Sequence, residues 1–148
     1  MLRQFLFGGS ISVCNIVIHA LIMTAVVRAS QAAAARTATR PNLSLIAVMA
    51  ATASVLMLAH TSEILVWSLA YDLVDAVDES TDHLYFAFVN YTTLGYGDIV
   101  PVERWRLLGP MTAMNGVLLF GWSTAVIFEV LRKTMALQSW PGDVDPRI

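Results

Sequence analysis

From Tyr91 the chain reads Tyr91-Thr92-Thr93-Leu94-Gly95-Tyr96-Gly97-Asp98, two glycines at alternate positions behind a pair of threonines. That spacing suits the coordination of a dehydrated cation. Side chains of successive residues in one strand alternate in direction and cannot line one axis. Backbone carbonyls can, provided the backbone alternates between right-handed and left-handed conformations, and the left-handed ones are inexpensive only for glycine. Gly95 and Gly97 therefore predict a row of carbonyl oxygens from Thr93, Leu94, Gly95 and Tyr96, with the Thr93 hydroxyl as a further oxygen. Leu94 and Tyr96 are expected to turn their side chains away from the row and pack a wall behind it. The arrangement predicts ion binding without enzymatic chemistry.

The rest of the chain has the composition of a membrane protein. It is 57% hydrophobic and 14% charged, with a mean hydropathy of +0.64, too apolar for a soluble domain of this length. The net charge of -2 is uninformative as a total, but its distribution sets a topology. A first apolar segment from about Phe5 to Val27 is long enough to span a ~30 Å hydrocarbon core, and it exceeds the ~7–15 apolar residues of a cleaved signal peptide. The connector from Arg28 to Asn42 holds Arg28, Arg36 and Arg40 and no acid, a cytoplasmic signature, and Pro41 marks the start of the next helix. A second span runs from about Leu43 to Tyr71. Asp72, Asp75, Asp78, Glu79 and Asp82 then follow without a basic residue, and the loop reads as external. Residues from about Thr81 to Thr92 are too few to cross the membrane and predict a re-entrant pore helix ending at the glycine stretch. The last span, from about Leu107 to Leu131, is followed by Arg132 and Lys133. The N-terminus is thus expected outside and the C-terminus in the cytoplasm, with Trp67, Tyr71 and Trp105 near the outer interface. Arg104 and Arg106, beside Glu103, are external exceptions to the charge pattern.

Thr93 to Asp98 resembles the selectivity filter of potassium channels, with Leu94 where the family usually has valine. The order span, pore helix, filter, span is similar to the pore module of that superfamily over about Leu43 to Lys133. Leu84-Tyr85-Phe86-Ala87-Phe88-Val89 looks most like the pore segments of two-pore-domain channels, although this chain has one such segment. The resemblance implies potassium as the transported ion, bound at Thr93, Leu94, Gly95 and Tyr96, with Gly97 completing the loop. One loop supplies a quarter of a ring, so a homotetramer among membrane lipids is implied. Asp98 is expected either to bond to Tyr85 behind the filter mouth or to attract cations as a solvated carboxylate, with Thr92 also supporting the filter. Some bacterial channels carry a glutamate partner for this aspartate where Val89 stands here. Gly116 falls close to the family's bending glycine and Gly121 follows it, though both also fit close helix packing. Projection of the family's pore-facing positions selects Leu118, Gly121, Ala125 and Glu129 as cavity lining. Glu129 either concentrates cations at the inner mouth or pairs with Lys133 four residues on.

His60 and Glu63 share one face of the second span, where ionisable groups are costly and turn inward. They read as a proton-sensitive switch or as a brace on the back of the pore helix near Asn90 or Thr92. Two ligands in one turn are too few for a metal site, and Asn15 and His19 of the first span could join them only if the helices align. Otherwise those two are expected to make interhelical hydrogen bonds, each worth roughly 0.6–2 kcal/mol.

Cys14, the single cysteine, excludes an intrachain disulfide. No nucleic-acid-binding patch is present, and no span carries the arginine series of a voltage sensor. The short tail leaves no room for a regulatory domain within this chain.

The expected fold is an all-α membrane protein with three transmembrane helices, a re-entrant pore helix and a filter loop, tetrameric around a central pore. Residues 1–42 form an extra helix and connector, 43–133 the pore domain and 134–148 the tail. The compact chain suits a prokaryotic inner membrane. A nonselective cation channel, a subunit of a potassium uptake transporter and a non-conducting membrane protein are the rival readings.

Overall fold

The computed structural model describes residues 1–34, 41–78 and 80–138. Arg36, Arg40, Glu79 and the tail from 139 onward lie outside the described residues. Helix α1 spans Leu2–Ala34, α2 Pro41–Leu73, α3 His83–Tyr91 and α4 Leu108–Gln138, with a 3-10 turn at Glu103–Trp105 before α4. Among the described residues, three segments are long and apolar enough to cross a membrane: Leu2–Ser30, Asn42–Leu73 and Glu103–Ala136. At ~1.5 Å per residue, the 33 residues of α2 measure about 50 Å and exceed a ~30 Å hydrocarbon core.

Local sequence accounts for the boundaries. Pro41 occupies the first position of α2, where its missing N–H would be unpaired anyway. Asp82 caps α3, its carboxylate accepting from the backbone of Leu84 at 2.9 Å and Tyr85 at 3.1 Å, which satisfies two otherwise orphan donors. Helix α4 continues past Leu131, because Glu129 accepts from Arg132 at 2.9 Å and from Lys133 at 2.9 Å within the helix, pairs that favour helical spacing. The expected border at 133 therefore falls inside α4.

Helix α1 packs on α2 and α4, and α3 is held between α2 and α4. The interior is layered. At one end Ile64, Trp67, Tyr71, Phe86, Tyr91, Trp105 and Leu108 form an apolar cluster, and at the other Met23, Val26, Leu56, Val126 and Val130 form a second. Between them lie the buried polar residues Asn15, His19, His60, Glu63, Asn115 and Ser123. Trp67 and Tyr71 are wholly buried in the chain, so their rings face protein rather than lipid. Their polar tips explain this, since the Trp67 indole donates to Asn115 Oδ1 at 3.0 Å and the Tyr71 hydroxyl pairs with Thr112, leaving nothing to be gained from water. The loop into α4 is tied down twice, by Val102 N donating to Ala76 O at 2.8 Å and Leu107 N donating to Gln4 Oε1 at 2.8 Å.

The end of α3 lies against α4 at Gly116, where a Cβ would stand 2.1 Å from the Tyr91 carbonyl oxygen. The backbone itself fills that space, so a methyl group forces the helices apart. Gly116→Ala is expected to destabilise the protein by about 1–3 kcal/mol, read as a lower denaturation midpoint in detergent. Gly121→Ala, whose new methyl meets nothing within 4 Å, should leave the midpoint unchanged or higher. Equal losses at both positions would remove the close-approach account.

Candidate functional site

Helix α3 runs directly into the glycine stretch. Its last carbonyls are capped by the loop itself: Thr93 N donates to Asn90 O at 2.9 Å, and Leu94 N and Gly95 N both donate to Val89 O, at 2.9 and 3.3 Å. The backbone then takes positive φ at Thr93 (60°), Gly95 (56°) and Gly97 (77°). Left-handed residues thus alternate with right-handed or extended ones over five positions. The glycine spacing signalled two of the three. Thr93 escaped sequence reasoning, since a β-branched residue rarely adopts this conformation and only the helix-closing bonds around it reveal why it does.

All residues from Thr92 to Gly97 are exposed in the single chain, and so is Asp98. Leu94 is 54% exposed and Tyr96 68%. The wall these two side chains were expected to pack is therefore not formed by their own chain. Tyr85 donates to Asp98 Oδ2 at 2.8 Å across the mouth of the loop. That hydrogen bond is the chief reason the phenol is held above its usual value, desolvation and the charge of Asp98 adding to it. Val89 is buried, and the Thr92 hydroxyl turns back to Phe88 O within its own helix, at 2.7 Å.

Along α4 the candidate lining residues Leu118, Gly121 and Ala125 lie on an exposed face, with Glu129 half-buried. Glu129 is engaged by Arg132 through both carboxylate oxygens and by Lys133, a surface cluster rather than a bare ring of charge. Gly116 stands apart from this face and is buried against α3.

Behind the loop, the polar layer joins all four helices. His19 Nδ1 of α1 donates to Glu63 Oε1 of α2 at 2.7 Å. The Tyr91 hydroxyl of α3 donates to Glu63 Oε2, and His60 Nδ1 sits 3.1 Å from the same oxygen and 2.9 Å from the Tyr91 hydroxyl. Ser123 of α4 lies 2.9 Å from His60 Nε2 and 3.4 Å from His19 Nε2. Asn15 extends the network by donating to the Glu63 carbonyl at 3.2 Å and to Asn115 Oδ1 at 3.2 Å. The brace on α3 thus runs through Tyr91, not Asn90 or Thr92. Asn90 instead bonds to Phe86 O in its own helix at 2.8 Å. Sequence reasoning did not find Tyr91, Ser123 or Asn115 as partners; a tyrosine at the end of a short apolar helix was the one available signal.

The His19, His60 and Glu63 donor atoms gather within 4.8 Å of one another. Their contacts are those of a hydrogen-bonded network, because 2.7 Å between His19 and Glu63 is shorter than the roughly 3.3 Å separating two ligands on a tetrahedral zinc with ~2.05 Å bonds.

A family model described as ion channel matches residues 45–133, more than half of the chain. The chain belongs to the ion-channel family. Among curated proteins and solved structures, none matches it. The channel match begins within the first turns of α2 and closes at Lys133 in α4, taking in α3 and the loop. Helix α1, which brings His19 and Asn15 to the polar layer, lies wholly outside it.

The neutral Tyr85 phenol is the donor to Asp98, and its folded value lies above the ordinary 10.0. The pair's contribution to stability is therefore complete below the ordinary value and is lost as pH rises through the raised one. In an alkaline absorbance titration, the phenolate signal assigned to Tyr85 by difference from Tyr85→Phe should appear at lower pH in Asp98→Asn. An unmoved signal would mean that the pair does not hold the channel's loop mouth.

Proposed function

We propose that four copies of the channel surround one axis and conduct potassium passively down its gradient through the backbone carbonyls of Thr93, Leu94, Gly95 and Tyr96. The observation that carries this reading is the alternation of left-handed backbone at Thr93, Gly95 and Gly97, the hand change needed for successive carbonyls to face one side. Oxygens on one side of an ion cannot replace its hydration shell, so the loop requires symmetry mates. The uncovered Leu94 and Tyr96 side chains are placed to meet them. Helix α3, nine residues long and so about 14 Å, acts as a re-entrant pore helix whose negative dipole end favours a cation beside the loop. Leu118, Gly121 and Ala125 line the cavity beyond it. Selectivity follows because these oxygens compensate the dehydration of potassium better than that of sodium, by cavity size or by ligand number and field strength.

The membrane is a prokaryotic inner membrane, with the N-terminus outside and the C-terminus in the cytoplasm. Lipids are the remaining partners, and no organic cofactor or nucleic acid takes part. A nonselective cation channel of the same architecture is the second reading, favoured by the buried Val89, which leaves Asp98 without the glutamate partner that some bacterial relatives carry.

Ion flux through purified protein in liposomes separates the two. Potassium should pass at least tenfold faster than sodium, and Gly95→Ala, which puts a Cβ on a residue at φ +56°, should abolish the flux. Equal potassium and sodium rates would select the nonselective reading. Selective flux that survives Gly95→Ala would sink the carbonyl mechanism.

A further inference from the structure

The buried network of His19, His60, Glu63, Tyr91 and Ser123 has a proton count that its geometry decides. Helix α1 contributes the titratable His19, α2 His60 and Glu63, and α3 Tyr91. From α4 only uncharged side chains face the group, Ser123 and Asn115 among them. His19, Glu63 and Tyr91 are wholly buried, and His60 is 9% exposed.

The Glu63 carboxylate can only accept, so the facing His19 Nδ1 carries a hydrogen, as does the Tyr91 hydroxyl bonded to Oε2. With the Tyr91 proton committed to Glu63, both oxygens near His60 Nδ1 present lone pairs, and that nitrogen also carries a hydrogen. Two neutral imidazoles would then turn two bare Nε2 atoms towards Ser123, which has one proton to give. One nitrogen would face an oxygen lone pair, and the cluster would keep a net charge of about -1 inside the membrane, a costly state. Switching His19 to its other tautomer only moves the conflict to the shorter contact with Glu63.

A single added proton resolves both defects. His60 Nε2–H donates to Ser123 Oγ, Ser123 donates to His19 Nε2, and the imidazolium balances the carboxylate. Every member is satisfied and the sum of charges is zero. The proton is shared by the two imidazole rings across Ser123 while Glu63 stays a carboxylate.

We propose that this cluster is a proton-binding site that fastens α1 to the back of the filter helix, and that conduction requires the site to be occupied. The left-handed alternation at the loop coexists with the closed network, and Tyr91 lies two residues before Thr93. Releasing the proton leaves a buried charge that is relieved by parting the helices or admitting water. Either event withdraws the brace from Tyr91.

The test uses the full chain in lipid bilayers with 15N-labelled histidine. In neutral buffer, the nitrogen resonances should show one imidazolium in the buried pair, distinguished from His83 by His83→Gln. Glu63→Gln should remove it, and His19→Gln should change its shifts. Potassium flux through the same preparation should fall on the alkaline side by roughly tenfold per pH unit, the slope of a single proton, and His19→Gln should flatten that fall. Two neutral buried rings in the wild type would overturn the proposal, as would stoichiometric zinc uptake with metal-shifted His19 and His60 resonances. A pH-independent flux beside an intact imidazolium would overturn the link to conduction. If wild-type protein carries no potassium at any pH, the channel reading fails while the resonances still decide the proton site.

Discussion

A carboxylate inside a membrane must find all its partners in protein, because lipid offers none. Glu63 meets that demand by drawing one group from each neighbouring element: His19 from α1, His60 from its own helix and Tyr91 from α3, with Ser123 of α4 closing the ring of histidines. Apolar surfaces in lipid confer little orientation, since a lipid tail packs against leucine as well as another leucine does. Directional bonds do confer it. The rotation of α1 about its axis and the seating of α3 between α2 and α4 both follow from satisfying this one side chain, and the two apolar clusters fill the space on either side of it.

The parts legible in the sequence were those carried by local rules. Apolar length announced three helices, the turn from acidic residues to a short apolar segment announced α3, and two glycines announced a special backbone at the loop. What could not be read depended on how the helices are turned towards one another. His60 and Glu63 were evident as an inward-facing pair, but their partners are fixed by the relative rotation of helices separated by dozens of residues, as His19 and Ser123 illustrate. The partners of Trp67 and Tyr71 were hidden for the same reason: an amphipathic aromatic satisfies its polar tip equally well at an interface or against Asn115 and Thr112. The end of α4 was missed because hydropathy falls at Arg132 while helix-stabilising charge pairs do not.

Within the ion-channel family match, α1 has no counterpart, yet it is bonded to the centre of the matched region rather than laid along its edge. An added helix that merely thickened the lipid boundary would need no buried polar residues. Asn15 and His19 make it part of the support for the segment that carries the loop.

The contact at Gly116 also divides α4 mechanically. Above it the helix is clamped backbone to backbone against Tyr91, while the long distal portion is held by Ser123 in the polar layer and by Val126 and Val130 in the second apolar cluster. From Gly121 to Gln138 it measures about 26 Å. Over that length a tilt of only about 10° about Gly121 would carry the far end ~4–5 Å and would have to part Ser123 from the histidines and open the packing of Val126 and Val130.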